Sequence, residues 1–593
     1  MADSYVETFH WTVDLSPEAL WSVLGDPGRL DEAAGWPRVR LRSRKPRRAR
    51  RINSPRGPFG WPFAMSFDEQ PIEWVRPKWW RRERTYGSGP LASDVLTLAI
   101  LRNHESVTTI SFTVEVVPRG IVGWLLVRTA LFRMARETFA QVLGDAMSQR
   151  HMRQSPDRVL SDVTIPDHLE DAVTRLDASP YGHDGTALIR WLLAAPGEDV
   201  VRIRPFELAS DRRLSATAAI DTCLQAAAYG LMRPNWELVC NACGMLVQTE
   251  PRLGDLPGSA ACPSCQTTVF RDLAQTVELT FAATDAVRQL DNADIDRAAR
   301  RESYAAELRV GVDAGRARTV HATLAPGSYR VEALETGDGG EMTVSGGRFA
   351  AVTVGSGLSI GSGTEAGTLQ VTNRGGERQT VVVSRLPRSD MGLRANRAIT
   401  QQAFTELHAQ DGLDEGESYS LGPVTVATFN LALEAASYQS GSSSGSYKQL
   451  RALIDQIKAA VAEAGGSTWG ESEDAAVAVF AQSDAAARTV LHLRRLSESG
   501  RPIAATLLSG LASLVAKGEK RRVEGPALDG AQALHRLARR GDFLTDLTIA
   551  GDPTFQRLLQ GAGLTGVRRD STALPDGAYE EIIAAPDRQG RVA

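Results

Sequence analysis

Four of the five cysteines stand in two closely spaced pairs in the middle of the chain. Cys240 and Cys243 form the first pair, and Cys262 and Cys265 form the second, with eighteen residues between the pairs. Each two-residue gap lets both thiolates reach one ion, and four thiolates suit a closed tetrahedral Zn²⁺ site. We therefore predict a zinc ribbon over 240–274, with a structural Zn²⁺ bound by all four. A redox dithiol is the alternative, although no thioredoxin-like βαβ pattern surrounds the pairs.

A second group of residues suited to chemistry lies toward the C-terminus. Residues 465–480 read GGSTWGESEDAAVAVF, and residues 510–525 read GLASLVAKGEKRRVEG, followed by DGAQALHRL. The strand-like run VTVATFN and a helix-like run over 447–464 precede the glycine-rich hairpin, and a further helix and strands follow it. This order predicts a ferredoxin-like βαββαβ domain over 423–593.

These segments resemble the catalytic domain of class III adenylate/guanylate cyclases. The hairpin matches the family pattern GGxVVKTIGDAVMAVF, the later segment matches GPAxAVxxNxRxDYFG, and DGAQALHRL stands where the family has VNxAARL. In such cyclases two aspartates hold two metal ions, Mg²⁺ or Mn²⁺, which activate a hydroxyl and neutralise the triphosphate. The active site forms between two domains. The resemblance therefore implies a homodimer or a heterodimer with another cyclase-type domain, and Mg²⁺ or Mn²⁺ only if the site is active.

The metal and purine positions of that family are mostly replaced. The first metal aspartate falls on Asn430, or on Leu431 if the strand is shifted by one residue. The second is kept as Asp474. The lysine that helps to select the purine falls on Gly470, and its aspartate partner falls on Arg522. The purine-selecting positions thus carry no side chain that matches the family.

The ribose and phosphate positions are replaced as well. The asparagine that orients the ribose becomes Asp529, and the arginine that stabilises phosphate charge becomes Ala533, with Arg536 one turn further on as the candidate replacement. Loss of one preorganised charge partner commonly costs about a hundredfold in rate. We therefore predict a degenerate cyclase-like domain without a confident catalytic residue, in which Asp474 serves as a turn or helix-cap residue.

The N-terminal residues 1–152 predict a helix-grip domain. The segment SPEALWSVLGDPGRL begins with Ser16 as a helix N-cap, strand-like runs follow at 94–101 and 107–118, and a helix-like segment closes the region. The segment resembles the START-like (SRPBCC) superfamily. That resemblance implies an apolar cavity for a small-molecule ligand between sheet and helix, and a packed domain without a ligand is the alternative.

The regions between these domains predict smaller modules. A polar linker over 153–185 precedes a winged-helix-like module over 186–239, and alternating apolar runs predict a β-sandwich over 275–393. A connecting helix and loop over 394–422 leads into the last domain. This middle part resembles an uncharacterised module that precedes the cyclase domain in some bacterial proteins. The fold class is thus multidomain α+β. Nine basic residues at 38–51 are interpreted as a solvated loop, because no nucleic-acid-binding motif accompanies them.

Composition sets the wider limits. The chain has 593 residues, of which 42% are hydrophobic and 23% are charged, with a net charge of −4, as in globular multidomain proteins. The start MADSYVETFHW lacks the features of a secretory signal, and the apolar run at 121–127 is far shorter than the roughly 20 residues of a membrane span. Paired cysteines favour metal binding in a reducing compartment. We predict a cytoplasmic protein without a membrane span.

Three functional hypotheses remain open. The first is a signalling protein in which a degenerate cyclase-like domain dimerises and the N-terminal domain senses a ligand or partner. The second is an active adenylate/guanylate cyclase that converts a nucleoside triphosphate to a cyclic nucleotide, with a site that is rearranged or completed by a partner chain. The third is a hydrophobic-ligand-binding protein.

Overall fold

The computed structural model shows a mixed α/β chain whose described residues form five sheets. Of the residues singled out above, Cys243, Cys265, Asp474 and most of the basic run lie outside the described residues. Within the described part, no helix is both long and apolar enough to span a bilayer. The described residues are 4–36, 50–54, 58, 65–102, 107–154, 160–212, 214–241, 246–262, 267–303, 306–363, 367–386, 392–408, 418–431, 443–471, 475–495, 503–517, 520–539, 541–572, 574 and 577–584.

The N-terminal part folds as an antiparallel sheet with one long helix packed on it. Its strands are β1 (Tyr5–Val13), β2 (Arg50–Ser54), β3 (Met65–Glu69), β4 (Glu73–Val75), β5 (Trp79–Tyr86), β6 (Leu91–Arg102) and β7 (Thr108–Pro118). Its helices are α1 (Pro17–Leu24), α2 (Gly28–Ala33), α3 (Gly120–Leu126) and α4 (Phe132–Gln154), with a π-helical turn (Val127–Leu131) joining the last two.

Strand β7 shows why the helix packs on this sheet. Its residues alternate between buried and half-exposed, so that Phe112 and Val114 and their neighbours two positions along face the same side. The ring of Phe139 on α4 stacks on Phe112 with 4.5 Å between ring centroids. Ser16 caps α1 by accepting a hydrogen bond from a backbone N–H three residues later.

Eight strands of the following region form two facing sheets, one of which is continuous with the N-terminal sheet. These are β13 (Leu308–Val312), β14 (Ala317–His321), β15 (Gly327–Ala333), β16 (Asp338–Val344), β17 (Ala350–Val354), β18 (Ser359–Gly363), β19 (Thr368–Asn373) and β20 (Gln379–Leu386). Strand β13 pairs with β4, with Leu308 opposite Val75, so β13, β20, β15 and β16 extend the first sheet. Strands β14, β19, β17 and β18 form the second sheet, and both share one core. The β-sandwich boundaries predicted at 275–393 stay a prediction, and the pairing of β13 with β4 joins this region to the N-terminal sheet.

The middle module consists of helices α5–α12, a four-stranded sheet in the order β21-β12-β8-β9, and the hairpin β10-β11. Its helices are α5 (Asp167–Asp177), α6 (Gly185–Ala194), α7 (Gly197–Val200), α8 (Pro205–Arg212), α9 (Ala216–Ala228), α10 (Asn292–Ser303), α11 (Ala395–Ile399) and α12 (Gln402–Leu407). Its strands are β8 (Met232–Val239), β9 (Leu246–Glu250), β10 (Ser259–Ala261), β11 (Thr268–Phe270), β12 (Val277–Ala283) and β21 (Leu393–Arg394).

Three boundaries in this module differ from the sequence prediction. Helix α5 lies inside the predicted linker over 153–185, and its Leu169 and Leu176 are buried. Strand β12, predicted to begin the β-sandwich, pairs instead with β8. The predicted connecting helix over 394–422 is two short helices. All of these segments bury apolar residues in one core around Trp236, which the local sequence pattern does not reveal.

The C-terminal part is an eight-stranded sheet in the order β23-β24-β22-β25-β27-β29-β28, with β26 paired to β25. Its strands are β22 (Ser418–Asn430), β23 (Ser467–Glu471), β24 (Ala475–Phe480), β25 (Ala505–Lys517), β26 (Lys520–Glu524), β27 (Phe543–Thr545), β28 (Leu564–Asp570) and β29 (Ala578–Ala584). Its helices are α13 (Ser443–Glu463), α14 (Ser483–Arg495), α15 (Pro526–Leu537), α16 (Leu547–Ala550) and α17 (Pro553–Gly561).

The two faces of this sheet have different partners. On one face, Phe429 and Phe480 pack in a core with residues of α13, α14 and α17. On the other face, Val426 and Leu514 belong to the same core as Trp236 of the middle module. The middle module and α15 therefore cover the second face of the C-terminal sheet.

Candidate functional site

The end of strand β22 is the first candidate site, because it holds the position of the first metal aspartate. The antiparallel register pairs Asn430 with Ala475, the first described residue after Asp474. Ala475 thus stands opposite the position that the cyclase resemblance gives for the first metal aspartate. Leu431 is 1% exposed and lies in the core with Phe429, so the strand is not shifted toward Leu431.

This strand end does not fit two divalent cations. Asn430 offers a neutral amide where a metal site needs a carboxylate, and Asp474 would supply the only negative charge of the pair. Across the described residues, no group of three or more His, Cys, Asp or Glu side chains could hold a metal ion.

The hairpin beside this strand carries the purine position. Gly470 pairs with Val477, and the register of the hairpin shifts between Thr468 and Gly470. Trp469 lies within that irregularity and packs against the core of the middle module. Gly470 has no side chain to contact a purine. Arg522, at the partner position on β26, is exposed.

Helix α15 carries the ribose and phosphate positions. Asp529 and Arg536 are exposed, and Ala533 is half-buried between them along the helix. The hydroxyl of Thr428 lies 3.0 Å from Nδ1 of His535 and fixes this helix to the sheet. Arg536 is thus the only cation at these three helix positions. His535 had no signal in the sequence, because its role depends on a contact with a distant strand.

The zinc prediction is wrong for the part of the chain that the structure describes. The metal-binding group expected from Cys240, Cys243, Cys262 and Cys265 is absent among the described residues, of which only Cys240 and Cys262 form part. Both of these side chains are buried, and Sγ of Cys240 lies 3.7 Å from Oγ1 of Thr267. Their burial in the apolar core of the middle module gives them a packing role instead.

A second candidate site is a cavity between the N-terminal sheet and the helix that runs from α3 into α4. Its volume, counted as the space open to the centres of water-sized molecules, is about 80 Å³. That is several times the roughly 10–15 Å³ that one water requires. Most of the lining is apolar and includes Met65, Phe112, Val114 and Leu131. The cavity therefore has room for a small apolar molecule.

Buried charges lie at one side of this cavity. Arg84 binds Asp31 and Glu69 at 2.7 Å each, and Arg82 binds Asp31 at 2.8 Å. Burial alone would raise the pKa of Asp31, but the two guanidinium groups outweigh it and hold the pKa below its ordinary value. Asp94 lies 4.0 Å from Arg82, and burial raises the pKa of its carboxyl group.

Two atoms of this cluster lack hydrogen-bond partners among the described residues. They are Nε of Arg82 and Oδ1 of Asp94, on side chains that line the cavity and are 4% and 8% exposed. A buried donor or acceptor without a partner costs about 1–3 kcal/mol. One ligand hydroxyl can accept from the guanidinium and donate to the carboxylate, because a hydroxyl has both capacities. Sequence reasoning missed both residues, since nothing in an isolated strand pattern marks a charge as buried.

Helix α2 joins this cavity to the middle module. Asp31 points to the cavity, whereas Arg29 binds Glu198 at 2.5 Å and Glu32 binds Arg297 at 3.0 Å. Arg297 also binds Glu198 at 3.3 Å. Burial would raise the pKa of Glu198, but Arg29 and Arg297 keep it below its ordinary value.

The middle module in turn holds the hairpin of the C-terminal domain. Gln401 donates from Nε2 to the carbonyl of Gly465 at 3.0 Å, and the backbone N–H of Gln402 donates to the carbonyl of Gly466 at 3.1 Å. The backbone N–H of Thr468 donates to Oε1 of Gln402 at 2.9 Å. Polar contacts thus join the cavity to the middle module through α2, and a separate set joins the middle module to the hairpin.

Comparisons with known proteins give one family and a group of solved structures. Residues 172–336 are similar to a family of unknown function, DUF5939. No curated protein matches the chain. The similar solved structures are adenylyl and guanylyl cyclase domains, which are aligned with less than a third of this chain.

One is the catalytic core of a rhodopsin-guanylyl cyclase with converted specificity in complex with ATPalphaS, at 14% identity and a TM-score of 0.24, covering 28% of this chain and 99% of that chain. Another is a dimeric guanylyl cyclase domain of a RhoGC fusion protein from the aquatic fungus Blastocladiella emersonii, at 12% identity and a TM-score of 0.23, covering 28% and 98%. A third is the adenylyl cyclase CyaB from P. aeruginosa, at 10% identity and a TM-score of 0.23, covering 30% and 100%. Scores at this level assign no activity to the chain.

Proposed function

We propose that the chain is a cytoplasmic signalling protein whose C-terminal domain has the class III cyclase fold but no cyclase activity. The observation that supports this proposal is the neutral amide of Asn430 at the end of β22, opposite Ala475, where the cyclase resemblance calls for a metal-binding carboxylate. Two divalent ions bring about four positive charges to a triphosphate, and a neutral amide cannot hold its share of them. The replacement of the purine-selecting lysine by Gly470 and of the phosphate-stabilising arginine by Ala533 also supports a loss of cyclase activity.

The N-terminal part is proposed to be the sensing domain, with a START-like helix-grip fold. Its ligand is a small apolar molecule that carries a hydroxyl group. The apolar lining of the cavity supports the first property, and the neighbouring atoms Nε of Arg82 and Oδ1 of Asp94 support the second. This proposal combines a ligand-binding function with the signalling function, so that the cavity provides the input.

Helix α2 is proposed to pass ligand binding to the rest of the chain. Asp31 is held by cavity residues, and Arg29 and Glu32 are held by Glu198 and Arg297 of the middle module. A ligand that contacts Nε of Arg82 binds the same guanidinium that holds Asp31 through another nitrogen. Ligand binding changes the position of α2 only if the ligand binds one of two arrangements of this helix more tightly than the other. The proposal requires this difference in affinity.

The output is proposed to be pairing with another cyclase-type domain, as a homodimer or a heterodimer. The middle module covers the sheet face beside α15, which leaves the outward side of α15 as the described surface open to a partner. Asp529 and Arg536 are exposed there. We expect Arg536→Glu to weaken self-association in sedimentation experiments. Arg451→Glu changes an exposed position on α13, and we expect it to leave self-association unchanged.

Calorimetric titration with Mn²⁺ and a non-hydrolysable ATP analogue tests the loss of the metal site. The wild-type chain is expected to bind the analogue at least about tenfold more weakly than Asn430→Asp, because the added carboxylate restores the second metal ligand. Asn430→Leu is the matched control and is expected to bind no better than wild type. If wild type and Asn430→Asp bind Mn²⁺ and nucleotide equally well, Asn430 is not a lost metal position, and an active cyclase becomes the better account.

A further inference from the structure

Helix α3 exposes a run of apolar side chains at one end of the N-terminal domain. Ile121, Val122, Trp124 and Leu125 are 84%, 68%, 43% and 55% exposed. Single exposed apolar residues are ordinary on a protein surface. Four large ones within five positions form a patch, and such patches mark contact with another apolar phase.

The buried side of the same helix shows that this patch is not displaced core. Gly123 is buried, and a Cβ atom there would lie 1.9 Å from the carbonyl oxygen of Pro90. The helix therefore sits directly on the loop before β6. Val127 and Leu131, on the same buried side, pack into the N-terminal core. These residues supply the buried side of the helix, and the four residues of the patch lie on its outward side.

Arginines follow the apolar patch on the outward side of the helix. Arg128, Arg133 and Arg136 are exposed, and the sequence has no acidic residue from 119 to 136. The guanidinium of Arg128 lies 4.9 Å from the centre of the Trp124 ring. Apolar side chains followed by cations, with a tryptophan at the border, are typical of helices that lie in the headgroup region of a bilayer.

We propose that α3 docks the N-terminal domain on the surface of an anionic lipid bilayer. The patch enters the boundary between headgroups and acyl chains, and the arginines contact lipid phosphates and carboxylates. Charge favours an anionic bilayer over a second copy of the chain as the surface that covers this patch. A symmetric pair would bring the arginines of two copies together, and Glu137 is the one acidic residue in the sequence from 119 to 137 to offset them. This inference goes beyond the proposed sensing function and does not depend on cyclase activity.

Co-sedimentation of the full chain with lipid vesicles tests the proposal. The probes are vesicles of phosphatidylcholine alone and vesicles of phosphatidylcholine mixed with phosphatidylserine. We expect binding to the anionic vesicles to be several-fold stronger and to weaken with added salt. Ile121→Ser combined with Leu125→Ser is expected to reduce binding at least about tenfold. Arg133→Gln combined with Arg136→Gln is expected to reduce it on anionic vesicles only.

Matched controls distinguish binding through α3 from nonspecific adsorption of the protein to vesicles. Phe270→Ser removes a side chain that is 67% exposed elsewhere, and Arg451→Gln removes an exposed cation on α13; both are expected to bind vesicles like wild type. All substitutions are at exposed positions, and equal melting temperatures confirm that each variant is folded. Equal sedimentation of wild type and the double serine variant overturns the proposal. So does a lipid-free dimer that this variant dissociates, which assigns the patch to a second copy.

Discussion

Arg29 and Asp31 lie two residues apart on helix α2 and bind partners on opposite sides of it. Arg29 binds Glu198 of the middle module at 2.5 Å, and Asp31 binds Arg82 and Arg84 beside the N-terminal cavity at 2.8 and 2.7 Å. One short helix therefore shares its charges between the candidate ligand site and the rest of the chain. The first two predictions test its two sides.

The cavity side predicts selectivity for a hydroxyl group. We expect phenol to bind the wild-type protein about tenfold more tightly than toluene, because its hydroxyl satisfies Oδ1 of Asp94 and Nε of Arg82. The preference is expected to disappear in Asp94→Ala and to persist in the exposed control Asp455→Ala. Calorimetry at matched concentrations measures both affinities. Equal binding of phenol and toluene by wild type would rule out a hydroxyl-recognising site.

The ion pairs between α2 and the middle module predict that removing one of their charges lowers the stability of the protein. Glu198→Gln removes the charge that pairs with Arg29 and Arg297, and these side chains are largely buried. Breaking a buried pair in this way costs about 2–4 kcal/mol. We expect a lower melting temperature and faster hydrogen exchange in α2 and α10. Asp455→Asn breaks the exposed pair with Arg451 and is the control, since such pairs contribute about 1 kcal/mol or less. Equal melting temperatures for the two variants would contradict the contact.

Asp221 predicts a distinct pH dependence. It is 8% exposed on α9, and burial raises the pKa of its carboxyl group to about 7. The folded state therefore holds this proton more tightly than the unfolded state, and stability falls as pH rises from the unfolded pKa toward 7, by up to about 1.4 kcal/mol per pH unit. Asp221→Asn, which stays neutral, is expected to melt higher than wild type at about pH 5.5, where the unfolded chain has already lost this proton, and by a larger margin at about pH 8. A melting difference of the same size at both pH values would show that burial of this carboxyl is not its cause.

Local sequence patterns predicted where individual strands and helices lie better than they predicted which strands pair. The alternation in TTISFTVEVVP and the Ser16 cap predicted a strand and a helix start, and β7 and α1 lie there. The pairing of β4 with β13, which joins two regions into one sheet, had no local signal because strand partners are chosen by packing. The zinc prediction was wrong for the described residues, which include Cys240 and Cys262 and hold no group that could bind a metal ion. Cysteine spacing alone did not reveal that these two side chains are buried in the core of the middle module.

The candidate sites show the same difference between what a local sequence pattern predicts and what only the fold reveals. The position Asn430, with Leu431 as the alternative, came from a family resemblance and stays a prediction, whereas the strand register gives Ala475 as the neighbour of Asn430. No sequence pattern marked Arg82 and Asp94, because they alternate along their strands like ordinary surface charges and their burial is seen only in the folded chain. His535 acts through Thr428, more than a hundred residues earlier in the chain. Sites made by tertiary contact need the fold before they can be recognised.

Formation of cyclic nucleotide by the purified full chain tests the central claim most directly. The protein is incubated with ATP or GTP and with Mg²⁺ or Mn²⁺, and cyclic AMP and cyclic GMP are measured by mass spectrometry. The account predicts no product above that of a heat-denatured sample, because Asn430 cannot hold the metal that activates the hydroxyl. Product that appears with the chain alone and disappears in Asp474→Ala would contradict it and identify an active cyclase.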